Sequence, residues 1–211
     1  MIALIDYGSG NLRSVYNALC VQGAEVEVLS SPEGLARAEA VILPGVGAFG
    51  DCVEQIRQRG FWEPVQEWIA EDRPFFGICV GYQVLFEGSE EAPGVAGMGV
   101  FKGQVRKFRT PGLKVPQIGW NRLEVRAGDP MWDGLPAEPY VYFVHSFYPE
   151  ASELEVVTAR CTYGETFAAA AARGRVSGVQ FHPEKSQSVG LGILRNFIRR
   201  AQSSDTLVSA K

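Results

Sequence analysis

The amino-terminal part of the chain alternates short apolar runs with segments whose apolar residues recur at helical spacing. "MIALID" (Met1–Asp6) predicts a buried strand, and after a glycine turn "NLRSVYNALCVQG" places Leu12, Val15, Tyr16 and Leu19 on one helical face. Gly23 ends that helix, because glycine takes the left-handed conformation of a helix terminus without a Cβ clash. "AEVEVLS" and "AVILP" predict two further strands, and "VEQIRQRGFWEPVQEWIAED" two helical pieces interrupted near Gly60 and Pro64. "PFFGI" is the next strand. Apolar strands alternating with helices predict an α/β fold with a mainly parallel sheet covered on both faces.

Beyond Gly94 the pattern changes to glycine-rich segments of alternating polarity: "VFKGQVRKF", "QIGWNRLEV", "YVYFVHSFYPE" and "EVVTARCTYG". These predict an additional antiparallel β portion before a closing helix, "VGLGILRNFIRRAQ", with Leu191, Leu194 and Ile198 on one face. The alanines Ala168–Ala172 favour helix by propensity, but the "RGR" turn and the strand-like "VSGVQF" that follow predict a hairpin strand instead. There is no internal repeat and no linker. One domain is expected over residues 1–201, with 202–211 as a frayed tail.

Composition narrows the class of function. A chain of 211 residues, 46% hydrophobic and 21% charged, can bury a substantial core. Its net charge of -4, with both signs interspersed, carries no footprint for nucleic acid or an anionic membrane. The run Phe167–Ala172 is far shorter than the ~20 residues that span a bilayer. Asp6 interrupts the first apolar run too early for a signal peptide, so a cytoplasmic protein is expected. Cys20, Cys52, Cys79 and Cys161 are scattered without a C-x-x-C pair, which favours free thiols over a disulfide framework or zinc site.

Cys79 stands apart from the other three. In "FFGICVGYQVLF" it lies between Gly77 and Gly81, after a strand and before a predicted helix. A sharp strand-to-helix turn strains its central residue and brings backbone segments together, so the positions two away must be small. This is the nucleophile-elbow pattern with cysteine at its apex, and the start of the helix favours thiolate over thiol. The alternative is a buried cysteine with coincidental glycines. Of the two histidines, His145 and His182, the second occurs in "GVQFHPEKS", where Pro183 biases it toward extended backbone. Glu184 would then project alongside His182, as a carboxylate that orients an imidazole base; a surface His-Pro-Glu turn is the competing reading. "LPGVGAFG" (Leu43–Gly50) suits a loop that aims backbone N–H groups at an oxyanion, or a flexible or phosphate-binding turn. Gln83 follows Cys79 by four residues and shares its helical face.

"GICVGYQ", "PGVGAFG" and "HPEKS" together resemble the class I triad glutamine amidotransferases. "ALIDYGSGNLRSV", "PQIGWN" (Pro116–Asn121) and "YFVHSFY" (Tyr142–Tyr148) narrow the resemblance to the glutaminase subunits of imidazole glycerol phosphate synthases, over about Met1 to Phe197. The resemblance implies a flavodoxin-like class I amidotransferase fold and a Cys79, His182, Glu184 triad. It further implies oxyanion donors at Val80 and in the Val46–Gly47 loop, and a glutamine pocket of Gln83, Glu91, His145, Ser146 and Phe147. Tyr7, Gly8, Asn11 and Lys185 are implied to face a partner. That partner would be a cyclase subunit receiving ammonia, with no metal or organic cofactor. Two rivals remain at this level: a glutaminase subunit of another class I amidotransferase, and a flavodoxin-like module binding phosphate through "DYGSGN" (Asp6–Asn11), which lacks the third glycine of the dinucleotide fingerprint.

Overall fold

The computed structural model describes residues 1–8 and 10–203. In chain order the elements are β1 (Ile2–Ile5), α1 (Leu12–Val21), β2 (Val26–Leu29), β3 (Ala40–Gly45), α2 (Phe49–Gln58), α3 (Trp62–Ala70), β4 (Phe75–Cys79) and the single turn α4 (Val80–Gln83). The second part contains β5 (Gly88–Ser89), β6 (Gly103–Lys107), β7 (Gln117–Arg122), β8 (Glu124–Val125), β9 (Tyr140–His145), β10 (Phe147–Ala151), β11 (Val157–Tyr163), β12 (Glu165–Arg173), β13 (Val176–Val179) and α5 (Gln187–Gln202). The expected tail thus begins inside α5 at Gln202, and its residues 204–211 lie outside the described residues. Among the described residues no helix is long and apolar enough to cross a membrane.

One eight-stranded sheet runs β2-β1-β3-β4-β13-β12-β11-β8. Its first five strands are parallel, and β12, β11 and β8 continue it antiparallel. β1, β3, β4 and β13 are buried along their whole length, as their continuous apolar runs require when helices cover both faces. Right-handed crossovers put α1 and the α2–α3 pair on opposite faces. α5 packs on the face of α1. Smaller sheets, β10-β6-β5 and the antiparallel pair β7-β9, stand at the side of the main sheet where the second part of the chain is inserted.

Two local conflicts in the sequence resolve physically. The alanine run is strand: β12 is bonded to β11 on one edge and β13 on the other, and Gly174 at φ +56° makes the tight return. Helix preference of alanine, about 0.5 kcal/mol per residue, is outweighed by two flanking ladders and burial of Ala168–Ala171. Pro64 does not break α3 but occupies its first turn, where a backbone N–H has no helical acceptor anyway; the break falls at Gly60, with φ +73°.

Candidate active site

Three adjacent parallel strands, β3, β4 and β13, bring three distant sequence segments together at their carboxyl ends in the middle of the sheet. β3 ends at Gly45, β4 at Cys79 in register with it, and β13 at Val179 just before Gln180–Phe181–His182. Ligands in open α/β sheets bind at such carboxyl ends.

Cys79 has φ 55° and ψ -110°, a conformation that costs an L-residue about 1–3 kcal/mol and persists only where its surroundings enforce it. The surroundings are backbone. A Cβ on Gly77 would lie 2.5 Å from the Gly81 carbonyl oxygen, and one on Gly81 would lie 1.9 Å from the Leu43 oxygen. Gly45 completes the contact, since its Cβ would lie 2.5 Å from the Gly81 nitrogen. The turn therefore needs three glycines, the third from a neighbouring strand. The helix expected after Cys79 is only the four residues of α4, too short for the substantial macrodipole that the sequence reading assigned to it.

His182 interacts with the Cys79 sulfur. Its Nδ1 pairs with Glu184 Oε1 at 2.9 Å, both side chains being buried at 2% and 1% exposure. The two meet by a different route from the extended chain that was expected. His182 is extended (φ -103°, ψ 96°), but Pro183–Lys185 forms a 3-10 turn that curls Glu184 back beneath the ring. His182 Nε2 is buried without a well-formed hydrogen bond. Burial by itself pushes the imidazole pKa down. Interaction with the Cys79 sulfur and with Glu184 overrides it and raises the value to about 10, so the ring is a cation near neutral pH.

A cavity of about 420 Å³ opens over this group. Its lining includes Val46, Gly47, Cys79, Val80, Gln83, Glu91, His145, Ser146, Phe147, His182 and Lys185. The Val80 N–H opens α4 and so has no acceptor within that turn; Gly47 has φ +94°, a geometry that lets the Val46–Gly47 loop turn its amides toward the cavity. Glu91 Oε2 accepts the Phe49 N–H at 2.8 Å and so caps α2, which Ala48 cannot do. His145 Nδ1 lies 2.8 Å from the Phe147 carbonyl, which can only accept, so Nδ1 carries the hydrogen and Nε2 is a bare lone pair, buried and without a protein partner. Burial foremost, with the nearby His182 cation, lowers the His145 pKa to about 4 against the Phe147 bond, and the ring stays neutral. Among the described residues no group of three or more His, Cys, Asp or Glu is placed to share a metal ion.

The model of the glutamine amidotransferase class-I family matches residues 3–201. The chain belongs to this family. The amidotransferase is 47% identical over 205 residues to a Microcystis aeruginosa protein, covering 96% of each, and 46% identical over 203 residues to one from Salinibacter ruber, covering 93% of each. Both are named imidazole glycerol phosphate synthase subunit HisH. Solved structures share the fold. A crystal structure of a glutamine amidotransferase aligns with TM-score 0.74 at 23% identity over 96% of this chain and 100% of the other, and PurLQS from Thermotoga maritima with 0.75 at 20% over 94% and 97%.

One expected residue, Tyr7, is placed differently from the reading of the sequence. Tyr7 does not face outward: it is 1% exposed, its hydroxyl accepting from the Cys52 thiol at 3.3 Å, because the turn after β1 folds it beneath α2. Asn11 begins α1 without a side-chain cap and lines a narrow gap with Glu184 and His182; Gly8 and Lys185 are exposed. The Asp6 carboxylate accepts the Gly8 N–H at 2.9 Å, which sets a negative charge in the turn that a phosphate would have needed.

Sequence reasoning missed two features of the amidotransferase. Gln180, fully buried, places its Nε2 3.7 Å from the Cys79 sulfur; its position two residues before His182 on an extended segment was the available signal. The β7-β9 pair presents Ile118, Trp120 and Tyr140 outward, all about half exposed. Here the alternation in "QIGWNR" was legible, but which face was buried was not. Ile118 pairs with Val144, a cavity residue, so this apolar face continues the cavity wall.

Proposed function

We propose that Cys79, His182 and Glu184 perform the glutaminase reaction of this chain. The chain is the glutaminase subunit of an imidazole glycerol phosphate synthase, as its relatives at 45–47% identity over nearly their full length are named. The observation that carries the residue assignment is the Cys79 elbow at φ 55° facing the same cavity as a histidine whose far nitrogen is held by a buried carboxylate.

The Cys79 thiolate attacks the side-chain amide carbon of glutamine, and the oxyanion accepts hydrogen bonds from the Val80 N–H and the Val46–Gly47 loop. The His182 imidazolium gives its proton to the departing nitrogen, the C–N bond breaks, and ammonia leaves a thioester. The neutral imidazole then takes a proton from water, the hydroxide adds to the thioester, and collapse expels the thiolate and releases glutamate. Glu184 holds the ring through Nδ1 and balances its charge through the cycle. The substrate backbone is held at the far end of the cavity, where Glu91 offers a carboxylate for the α-ammonium group and His145 Nε2 an acceptor. Gln83, Ser146 and Phe147 complete that wall.

The relatives are named as subunits, which supports a partner. That partner is a cyclase subunit seated over the cavity mouth, against Ile118, Trp120 and Tyr140 with Lys185 beside them, so that ammonia passes directly between active sites. Unregulated glutaminase would waste glutamine. Low activity alone and a rise when the cyclase carries its nucleotide are therefore expected, by selection of a competent Val46–Gly47 loop. The test measures glutamate release by the isolated chain, by the complex and by the ligand-loaded complex. Absence of glutamine hydrolysis in all three would remove the glutaminase reading, and full activity in the isolated chain would remove the gate.

A further inference from the structure

A buried chain of amides runs from the substrate strand to the nucleophile, and each member's orientation is forced by the one before it. The Phe147 carbonyl oxygen can only accept hydrogen bonds. Gln83 must therefore turn its NH2 toward it, and Nε2 lies 3.0 Å from that oxygen. The same Nε2 lies 3.0 Å from the Gln180 carboxamide, which must then answer with its oxygen, Oε1. Gln180 has one group left, its own NH2, and this lies 3.7 Å from Cys79 Sγ. Gln83 and Gln180 are 3% and 0% exposed, so neither amide can turn over without leaving polar atoms unpaired in the interior.

We propose that Gln180 is a positioning residue for the nucleophile, donating an N–H to the Cys79 sulfur. This deepens the glutaminase reading and rests on it. A donor-only contact favours thiolate over thiol, because a hydrogen bond to an anion is stronger than one to a neutral sulfur. It also holds the sulfur from a second side, complementing His182, and supplies what the single turn α4 cannot. The chain has a further consequence. The Phe147 carbonyl that sets the orientation belongs to the strand lining the cavity, so the donor is registered to the substrate wall rather than to the sheet alone.

The test compares Gln180→Met, which preserves approximate volume and removes the donor, with Gln180→Glu, which replaces the donor by an acceptor. The first readout is the rate of Cys79 alkylation by iodoacetamide across pH, followed by mass spectrometry. It needs no glutaminase activity, so failure of this proposal is distinguishable from failure of the reaction assignment. Gln180→Met is expected to slow alkylation at neutral pH about tenfold, with the rise in rate displaced to higher pH, and Gln180→Glu to slow it more. In complex with the cyclase, kcat for glutamine falls by about tenfold or more while KM stays within about twofold. A folded Gln180→Met protein with the wild-type alkylation profile overturns the proposal, as do equal effects of the two variants. Should the variants not fold, the Gln180 carboxamide resonances of the wild-type protein decide: they should move with pH in step with alkylation and cease to do so in Cys79→Ala. Resonances indifferent to the sulfur overturn it.

Discussion

Glu184→Gln separates orientation from charge at the triad. A carboxamide keeps an oxygen for His182 Nδ1–H, at present 2.9 Å from Glu184 Oε1, but removes a negative charge buried at 1% exposure. A hydrogen bond between such charged groups contributes about 1.5–3 kcal/mol. The imidazolium should therefore lose about one to two pH units of protection. The sign follows from the raised His182 pKa of about 10: the cation that protonates the leaving nitrogen is present at neutral pH and lost as pH rises through that value. In Glu184→Gln the alkaline limb of kcat moves down by that amount, and kcat at neutral pH falls by about ten- to hundredfold because the imidazole that takes a proton from water in the hydrolysis step loses the carboxylate that stabilises its cation. Glu184 lies behind His182 and does not line the cavity, so KM for glutamine should change by less than about twofold. The assay is glutamate release by the cyclase-bound subunit, measured from about pH 7 to pH 10. Wild-type kcat with the alkaline limb in its original place would refute the reasoning, leaving His182 to another orienter.

Further outcomes are expected from the same geometry. The Cys79→Ala complex should make no cyclase product from glutamine but should make it from ammonium salt at alkaline pH; retained use of glutamine by an intact complex would displace Cys79 as nucleophile. Iodoacetamide should label Cys79 ahead of the others and glutamine should protect it. Cys52 and Cys161 should react slowly because burial foremost pushes their thiols up to about 12, and equal labelling of all four cysteines would contradict the assignment. Trp120→Ala should weaken cyclase binding at least about tenfold while leaving the isolated fold within about 0.5 kcal/mol, since Trp120 is 46% exposed; an unchanged Kd by titration calorimetry would place the interface elsewhere.

The parts of this protein that were legible in its sequence are those whose physical demands act over a few residues. Gly77 and Gly81 flank Cys79 because the elbow closes on itself, and His182 precedes Glu184 by two residues because the ring and its carboxylate share one turn. The strand-helix alternation likewise announced the parallel sheet, and the sharp "RGR" return outweighed alanine propensity in β12. Tertiary structure alone decided what depends on neighbours far apart in the chain. The adjacency of β3, β4 and β13 assembles the cavity, and only that adjacency makes Gly45 part of the elbow and Gln180 a neighbour of the sulfur. Packing beneath α2 buried Tyr7, an aromatic residue that the family resemblance had implied would face a partner. Backbone demands of a tight turn are written next to the residue that needs them, whereas for a hydrogen bond across 101 residues, such as that from Gln180 to Cys79, the sequence shows at most that Gln180 shares an extended segment with His182, and the partner is fixed only when β4 and β13 pair.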